Sequence, residues 1–204
     1  MIKRRGTLFV VSAPSGAGKT TLCREMRLRL SDLAYSVSVT TRAPRPGEID
    51  GTDFRFVSEA QFHDLLAKSE MAEWATVHGN LYGTPAAPLE AALHAGRDVL
   101  LDIDTQGAAQ LRERYPDAVL IFVVAPSMRE LEQRLRERRS DSEREITRRL
   151  HRAGEEVMLW RRYDYLIVNR DVKEAMEQLE SIIQAERCRV ARLALTFPDL
   201  EVPN

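Results

Sequence analysis

Short apolar runs alternate with amphipathic stripes along most of this 204-residue chain. Segments 8–11, 37–40, 99–103, 119–124 and 165–168 read as strands, and 119–124 is apolar at all six positions. The stretches between them have helical character. Segment 20–30 follows the first strand, and 105–114 is stopped by Pro116, whose ring cannot continue a helix. Leu131 and Leu135 lie four apart in 128–138, with Ser127 and Glu130 placed as a capping box. Ile146, Leu150, Val157 and Trp160 mark a helix over 142–163. Val172, Ala175, Leu179 and Ile182 mark another over 171–187, capped by Asp171. Strands that are apolar throughout must be covered on both faces. The expectation is therefore an α/β fold, a five-stranded parallel sheet with helices on both sides.

Two regions break the rhythm. From Thr41 to Ala92 the chain opens with Ala43-Pro44-Arg45-Pro46-Gly47, an extended turn, and then reads as a strand at 54–57, a helix at 59–67 and strands at 74–78 and 80–82. This is the pattern of an insertion with its own small core. Between 136 and 145 almost every side chain is charged or hydroxylic, and 129–152 holds nine arginines against six acidic residues. That pattern suits either a solvated connection or a set of mobile arginines.

Length bounds the chain to one domain carrying small insertions. Thirty basic and 31 acidic residues leave a formal charge of -1, so nothing global points to nucleic acid or an anionic membrane. Cys23 and Cys188 are too few for a disulfide framework and suit a reducing compartment, so a cytoplasmic location is expected. The basic residues near the N-terminus precede only a four-residue apolar run, too short for a signal peptide, and no segment approaches a membrane span.

The sharpest local signal is Ala13-Pro14-Ser15-Gly16-Ala17-Gly18-Lys19-Thr20, between the first strand and first helix. Strand, glycine-rich turn, helix is the context of a phosphate-binding loop, in which backbone N–H groups surround phosphate oxygens. Lys19 would sit beside the β- and γ-phosphates, and the Thr20 hydroxyl would reach magnesium. The usual first glycine is Ala13, which fits only where φ stays negative. Asp102 and Asp104 lie two apart on one side of a strand and emerge at its C-terminal end, where open parallel sheets bind ligands. Asp104 suits either ligand reading or capping of the helix that starts at Thr105.

Further segments carry a family resemblance. Ser36 to Glu48 (Ser-Val-Ser-Val-Thr-Thr-Arg-Ala-Pro-Arg-Pro-Gly-Glu), Glu73-Trp74, Gly79-Asn80-Leu81-Tyr82-Gly83-Thr84, Leu101-Asp102-Ile103-Asp104-Thr105-Gln106-Gly107 and Val168-Asn169 closely resemble guanylate kinases over roughly 8–186. The resemblance implies the P-loop NTPase fold, with core segments 1–41, 93–135 and 147–190, a GMP-binding insertion 42–92, a lid 136–146 and a tail 191–204. It implies phosphoryl transfer from ATP to GMP, with magnesium accompanying ATP, in purine nucleotide metabolism. ATP contacts are then expected from Ala13, Pro14, Ser15, Gly16, Ala17, Gly18, Lys19, Thr20, Thr21, Arg134, Arg138 and Asn169. GMP contacts are expected from Ser38, Arg42, Arg45, Glu73, Tyr82, Thr84 and Asp104. Lys19, Arg42, Arg134, Arg138 and Arg149 would act on the transferring group, and Thr20 and Asp102 would attend the metal. No nucleic-acid or membrane partner is implied; room is left for dGMP and for a homo-oligomer.

The implied roles suit the chemistry. A carboxylate at Glu73 accepts from guanine N1–H and the 2-amino group together, and a hydroxyl at Thr84 donates to O6, whereas adenine leaves both poorly paired. Arg42 and Arg45 flank Pro44 and offer rigid forks to a phosphate. One departure stands out. Where the family usually has a tyrosine, Gly51-Thr52-Asp53-Phe54-Arg55-Phe56 has Phe54, which cannot donate a hydroxyl; Arg55 is the candidate to compensate, although alternate residues of a strand face opposite ways. Two other readings share these motifs: a P-loop kinase of another small phosphorylated substrate, and a guanylate-kinase-like module that binds phosphopeptides, usually with a degraded phosphate loop. Retention of Lys19, Thr20 and the lid arginines favours catalysis.

Overall fold

The computed structural model describes residues 5–77, 79–137 and 142–192. Arg138 with the middle of the expected lid, His78 and the tail beyond 192 lie outside the described residues. In chain order the elements are β1 (Leu8–Ser12), α1 (Lys19–Arg29), β2 (Ala34–Tyr35), β3 (Val39–Thr40), β4 (Arg55–Phe56), α2 (Glu59–Ala67), β5 (Met71–Val77), β6 (Asn80–Pro85), α3 (Ala86–His94), β7 (Val99–Asp102), α4 (Thr105–Arg114), β8 (Val119–Val124), α5 (Met128–Glu137), α6 (Glu143–Val157), β9 (Tyr165–Val168) and α7 (Val172–Arg187). A 3-10 turn, Met158–Arg162, follows α6.

The larger sheet is parallel throughout, in the order β2-β7-β1-β8-β9. All five residues of β1 are buried, which is why its sequence is continuously apolar rather than alternating. Phe9 and Val11 turn to one face, where they pack with Leu22 and Met26 of α1 and Leu179 and Ile183 of α7. Leu8 and Val10 turn to the other, against Leu89 and Leu93 of α3 and Leu111 of α4. Phe9 is fully buried, and truncating a phenylalanine so placed costs about 3–5 kcal/mol. At the N-terminal edge, Asp98 accepts from the Thr7 amide at 2.7 Å and from Arg187 at 2.8 Å, pinning the end of α7 to the sheet.

The smaller sheet runs β4-β3-β6-β5. β6 is antiparallel to both its neighbours, and Val39, Phe62 and Met71 form a separate small core beneath it. The apolar segment 37–40 therefore lies elsewhere than expected. Its ordered part is β3, in the smaller sheet, whereas the edge of the larger sheet is β2, only two residues long. An apolar run reports burial, not which of two sheets supplies it. α3 has no counterpart among the expected elements. Pro85 and Pro88 disguise it, yet Pro88 lies in the first turn, where a missing N–H costs nothing. The expected helix over 142–163 begins as read, with Ser142 capping the Glu145 amide, and gives way to the 3-10 turn after Val157.

Candidate active site

The phosphate loop joins the C-terminal end of β1 to α1. Gly16 and Gly18 have φ of 93° and 95°, a region that other residues rarely adopt. A side chain at Gly18 would also drive its Cβ into Asn169 Nδ2. Among the described residues Ser69 is the one non-glycine with positive φ, so Ala13 sits on ordinary backbone and the loop closes without a first glycine. The buried Asn169 donates its amide to the Ala17 carbonyl at 2.8 Å and so braces the loop from β9, while its Oδ1 is buried without a partner. Thr20 and Thr21 lie exposed in the first turn of α1.

The Lys19 ammonium is 2.6 Å from Asp102 Oδ1 and donates to the Ile103 carbonyl at 2.6 Å. Burial pulls its pKa down, but the Asp102 carboxylate more than offsets this and the net shift is upward. Lys19 is therefore a cation held at the end of β7.

The smaller sheet supplies the opposite wall. Glu73 on β5 is 5% exposed and lies across from Thr84 on β6, whose hydroxyl donates to Glu73 Oε1 at 2.5 Å. A register irregularity between Met71 and Glu73 lets β5 bury Ala72 and Glu73 in succession. Burial raises the Glu73 pKa to about 7; the Thr84 bond opposes the shift and Asp104 adds to it. Asp104 caps α4, accepting from the Gly107 amide at 2.9 Å, and still lines the cleft. The capping role is therefore real and leaves the side chain at the cleft wall.

Arg42 is gripped on several sides. It donates to both carboxylate oxygens of Glu48 at 3.0 and 2.8 Å and to the Tyr82 hydroxyl at 3.1 Å. Its guanidinium lies 5.3 Å from the Phe54 ring centroid. The hydrogen bond to Glu48 raises the Arg42 pKa and lowers that of Glu48, so both stay charged. Arg45 donates its backbone amide to Glu48 at 2.7 Å and leaves its side chain exposed.

These walls enclose a cleft of about 350 Å³. It brings together Lys19, Thr20, Ser38, Glu73, Tyr82, Asp102 and Asp104 from the expected set. Thr84 lies beneath Glu73, fully buried. Sequence reasoning missed Cys23, Arg27 and Tyr35, which also line the cleft. The signal was available, because Lys19, Cys23 and Arg27 repeat every four residues along one face of α1. Glu48 was quoted in a motif without its role as the carboxylate partner of Arg42.

The arginines of α5 and α6 stand apart from this cleft. Arg134 donates to Glu130 and to the Asn169 carbonyl at 2.9 Å, beside the phosphate loop. Arg149 is 3.5 Å from Glu145. Among the described residues no three acidic, histidine or cysteine side chains gather as a metal cage. The Thr20 hydroxyl and Asp102 carboxylate fit magnesium only as partial ligands, completed by phosphates and water, which is how that ion is usually held. Among the described residues no helix is long and apolar enough to cross a membrane.

The family model for guanylate kinase matches residues 5–186. The guanylate kinase of Geobacter sulfurreducens is 53% identical over 192 residues, covering 94% of this chain and 95% of that one. That of Geobacter metallireducens is 50% identical, covering 97% and 98%. The crystal structure of guanylate kinase from Anaplasma phagocytophilum superposes with a TM-score of 0.81 at 37% identity, covering 95% of this chain and 93% of that one. Taken with a phosphate loop facing a buried carboxylate–hydroxyl pair across one cleft, these matches show that the chain belongs to the guanylate kinase family.

Proposed function

We infer that the cleft receives GMP and that the loop at its edge receives ATP, so that the chain transfers the γ-phosphoryl group of ATP to GMP. A GMP phosphate oxygen attacks the γ-phosphorus, the bond to the β–γ bridging oxygen breaks, and ADP and GDP leave. The observation that carries this reading is the opposition of Lys19 to the Glu73–Thr84 pair across a cleft the size of one nucleotide. Small-molecule sites span ~300–1,000 Å³, and this one lies at the lower end.

The roles follow from what each group can offer. Backbone amides of the loop and the helix start, from Ser15 to Thr21, surround the ATP phosphates, and the Lys19 ammonium neutralises the bridging region. Arg42 and Arg45, with Ser38 and Tyr82, hold the GMP phosphate. Glu73 accepts from N1–H and the 2-amino group, and Asp104 adds a further acceptor. Thr84 already gives its hydrogen to Glu73, so it serves guanine through that carboxylate and reaches O6 only by exchanging the bond. Arg134 of α5, Arg149 of α6 and Arg138 of the expected lid 136–146 act on the transferring group, and Asn169 flanks the adenine. Thr20 and Asp102 would hold the magnesium that arrives with ATP and stabilises charge on the phosphates. No general base is needed, because the attacking oxygen is already anionic near neutral pH. Alignment and charge neutralisation carry the reaction. dGMP, which carries the same base and phosphate, is a second acceptor on this reading. Cys23 and Cys188 are both free thiols, which suits a cytoplasmic setting.

A coupled ADP-release assay with GMP, dGMP, AMP, UMP and CMP tests the assignment. GMP should exceed AMP in kcat/KM by at least about a hundredfold, since unmatched buried polar groups discriminate by roughly that much or more. Equal rates with AMP would remove the guanine assignment of Glu73.

A further inference from the structure

α4 is a helix with an unfavourable residue in its first turn. Gly107 has an ordinary helical backbone and no positive φ, so its conformation does not require glycine. Alanine would serve the helix better. What alanine meets is Glu73. A Cβ built at Gly107 would overlap Glu73 Oε2 and lie 3.0 Å from its Cδ, so something must move, while the flexible end of Ile103, with Cδ1 at 3.3 Å, need give only a few tenths of an ångström.

Neither partner can retreat easily. The Gln110 side chain clamps the backbone of the next residue of β5, accepting from the Trp74 amide at 3.1 Å and donating to the Trp74 carbonyl at 2.7 Å. Arg114, one turn further along α4, donates to the Met71 carbonyl at 2.8 Å. Positions 107, 110 and 114 share one helical face, so this face holds the strand on both sides of Glu73. Glu73 Oε1 is tied to Thr84, which leaves Oε2 as the oxygen pressed against Gly107. The amide of Gly107 in turn holds Asp104.

We propose that Gly107 is a positioning residue for guanine recognition: its missing side chain is the space that lets the Glu73 carboxylate rest on α4 beside Asp104. This rests on the assignment of Glu73 to guanine. Any side chain at 107 swings the carboxylate off the line on which it accepts from N1–H and the 2-amino group, while the phosphate loop on the other wall is untouched.

The test is a cycle of Gly107→Ala, Glu73→Ala and the double variant, each assayed at pH 8 for KM of GMP, KM of ATP, kcat and Tm. Gly107→Ala in the natural background should raise KM for GMP at least tenfold and change KM for ATP less than twofold. With Glu73→Ala already present, Gly107→Ala should leave KM for GMP within twofold, and Tm should equal or exceed that of Glu73→Ala alone. If Gly107→Ala alone fails to fold, the Tm comparison in the Glu73→Ala background still decides. A loss there means that alanine is rejected for a reason other than Glu73, and the proposal fails. It fails equally if Gly107→Ala keeps the natural KM for GMP. A natural enzyme without GMP preference would instead defeat the guanine assignment, and the Tm cycle would still report the packing.

Discussion

Lys19, which lines the cleft, and Arg42, which stands behind the Tyr82 and Phe54 that line it, are placed in different ways. On the proposed ATP side, Lys19 stands at the start of a helix on a loop whose shape comes from backbone: two left-handed glycines, a buried asparagine brace and a strand buried along its length. On the proposed GMP side, Arg42 is placed by side chains, with Glu48 on one edge, Tyr82 on another and the Phe54 ring beneath its guanidinium carbon. Each cation comes with its own carboxylate, Asp102 for Lys19 and Glu48 for Arg42. The Lys19 pair is anchored to the parallel sheet, whereas the Arg42 pair lies wholly in the segment between β3 and β4, its partners six residues apart. The first site is rigid by construction. The second depends on a short loop keeping its carboxylate.

That difference predicts unequal losses. Lys19→Ala removes a charge that no backbone donor can replace, and kcat/KM should fall at least a hundredfold, about 2.7 kcal/mol. Near-normal turnover in steady-state assays would rule out its role on the phosphates. Arg42→Ala should cost at least tenfold in kcat or in KM for GMP, about 1.4 kcal/mol, because Arg45 and Tyr82 remain. An Arg42→Ala enzyme as impaired as Lys19→Ala would show that the GMP side has no such reserve. Unchanged constants would take Arg42 out of the site.

The same contrast explains what the sequence reveals. The ATP side is contiguous, from Leu8 to Thr21, and each feature has a local cause: apolar strand, glycines at left-handed positions, lysine at a helix start. It can be read directly. The GMP side is assembled from β3, β5, β6 and α4, and the contacts that define it cross the chain, Arg42 to Tyr82 and Glu73 to Gly107. Motif resemblance points to candidate residues there, but no periodicity gives the Glu48 pairing, the irregular register before Glu73 or the Gln110 clamp. Short strands fail for a related reason. β2 and β3 have two residues each, too few for a period, so 37–40 showed its burial and hid its sheet.

Protonation sharpens the comparison, since Glu73 titrates near 7 while Lys19 and Arg42 remain charged. A carboxyl whose pKa is raised in the folded state binds a proton more tightly folded than unfolded. Its contribution to stability is therefore greatest below the unfolded value of 4.5 and is lost as pH climbs through about 7. On the proposed assignment GMP binds the carboxylate form, so binding should run the other way. KM for GMP should rise about tenfold between pH 8 and pH 6, with KM for ATP nearly flat. Glu73→Gln, which cannot ionise, separates this from titration of the GMP phosphate itself. If the variant keeps the same pH profile, Glu73 is not the group responsible.

The smallest effect concerns Phe54. Its ring already supports Arg42 through its face and meets Tyr82 edge-on with centroids 6.1 Å apart, so the missing hydroxyl leaves the packing intact. Arg55 does not fill the gap, because it is exposed on the other side of β4. Phe54→Tyr adds one donor at the cleft wall without removing the face that Arg42 uses. A hydrogen bond to a charged phosphate is worth more than a neutral one, but its net value is reduced by water given up on both sides. A gain of about threefold in GMP affinity is expected, under 1 kcal/mol. Titration calorimetry with GMP decides it: no gain would mean that Tyr82 and the Arg42–Glu48 pair already satisfy the phosphate. The GMP pocket would then reach full strength here through a braced arginine in place of a second tyrosine.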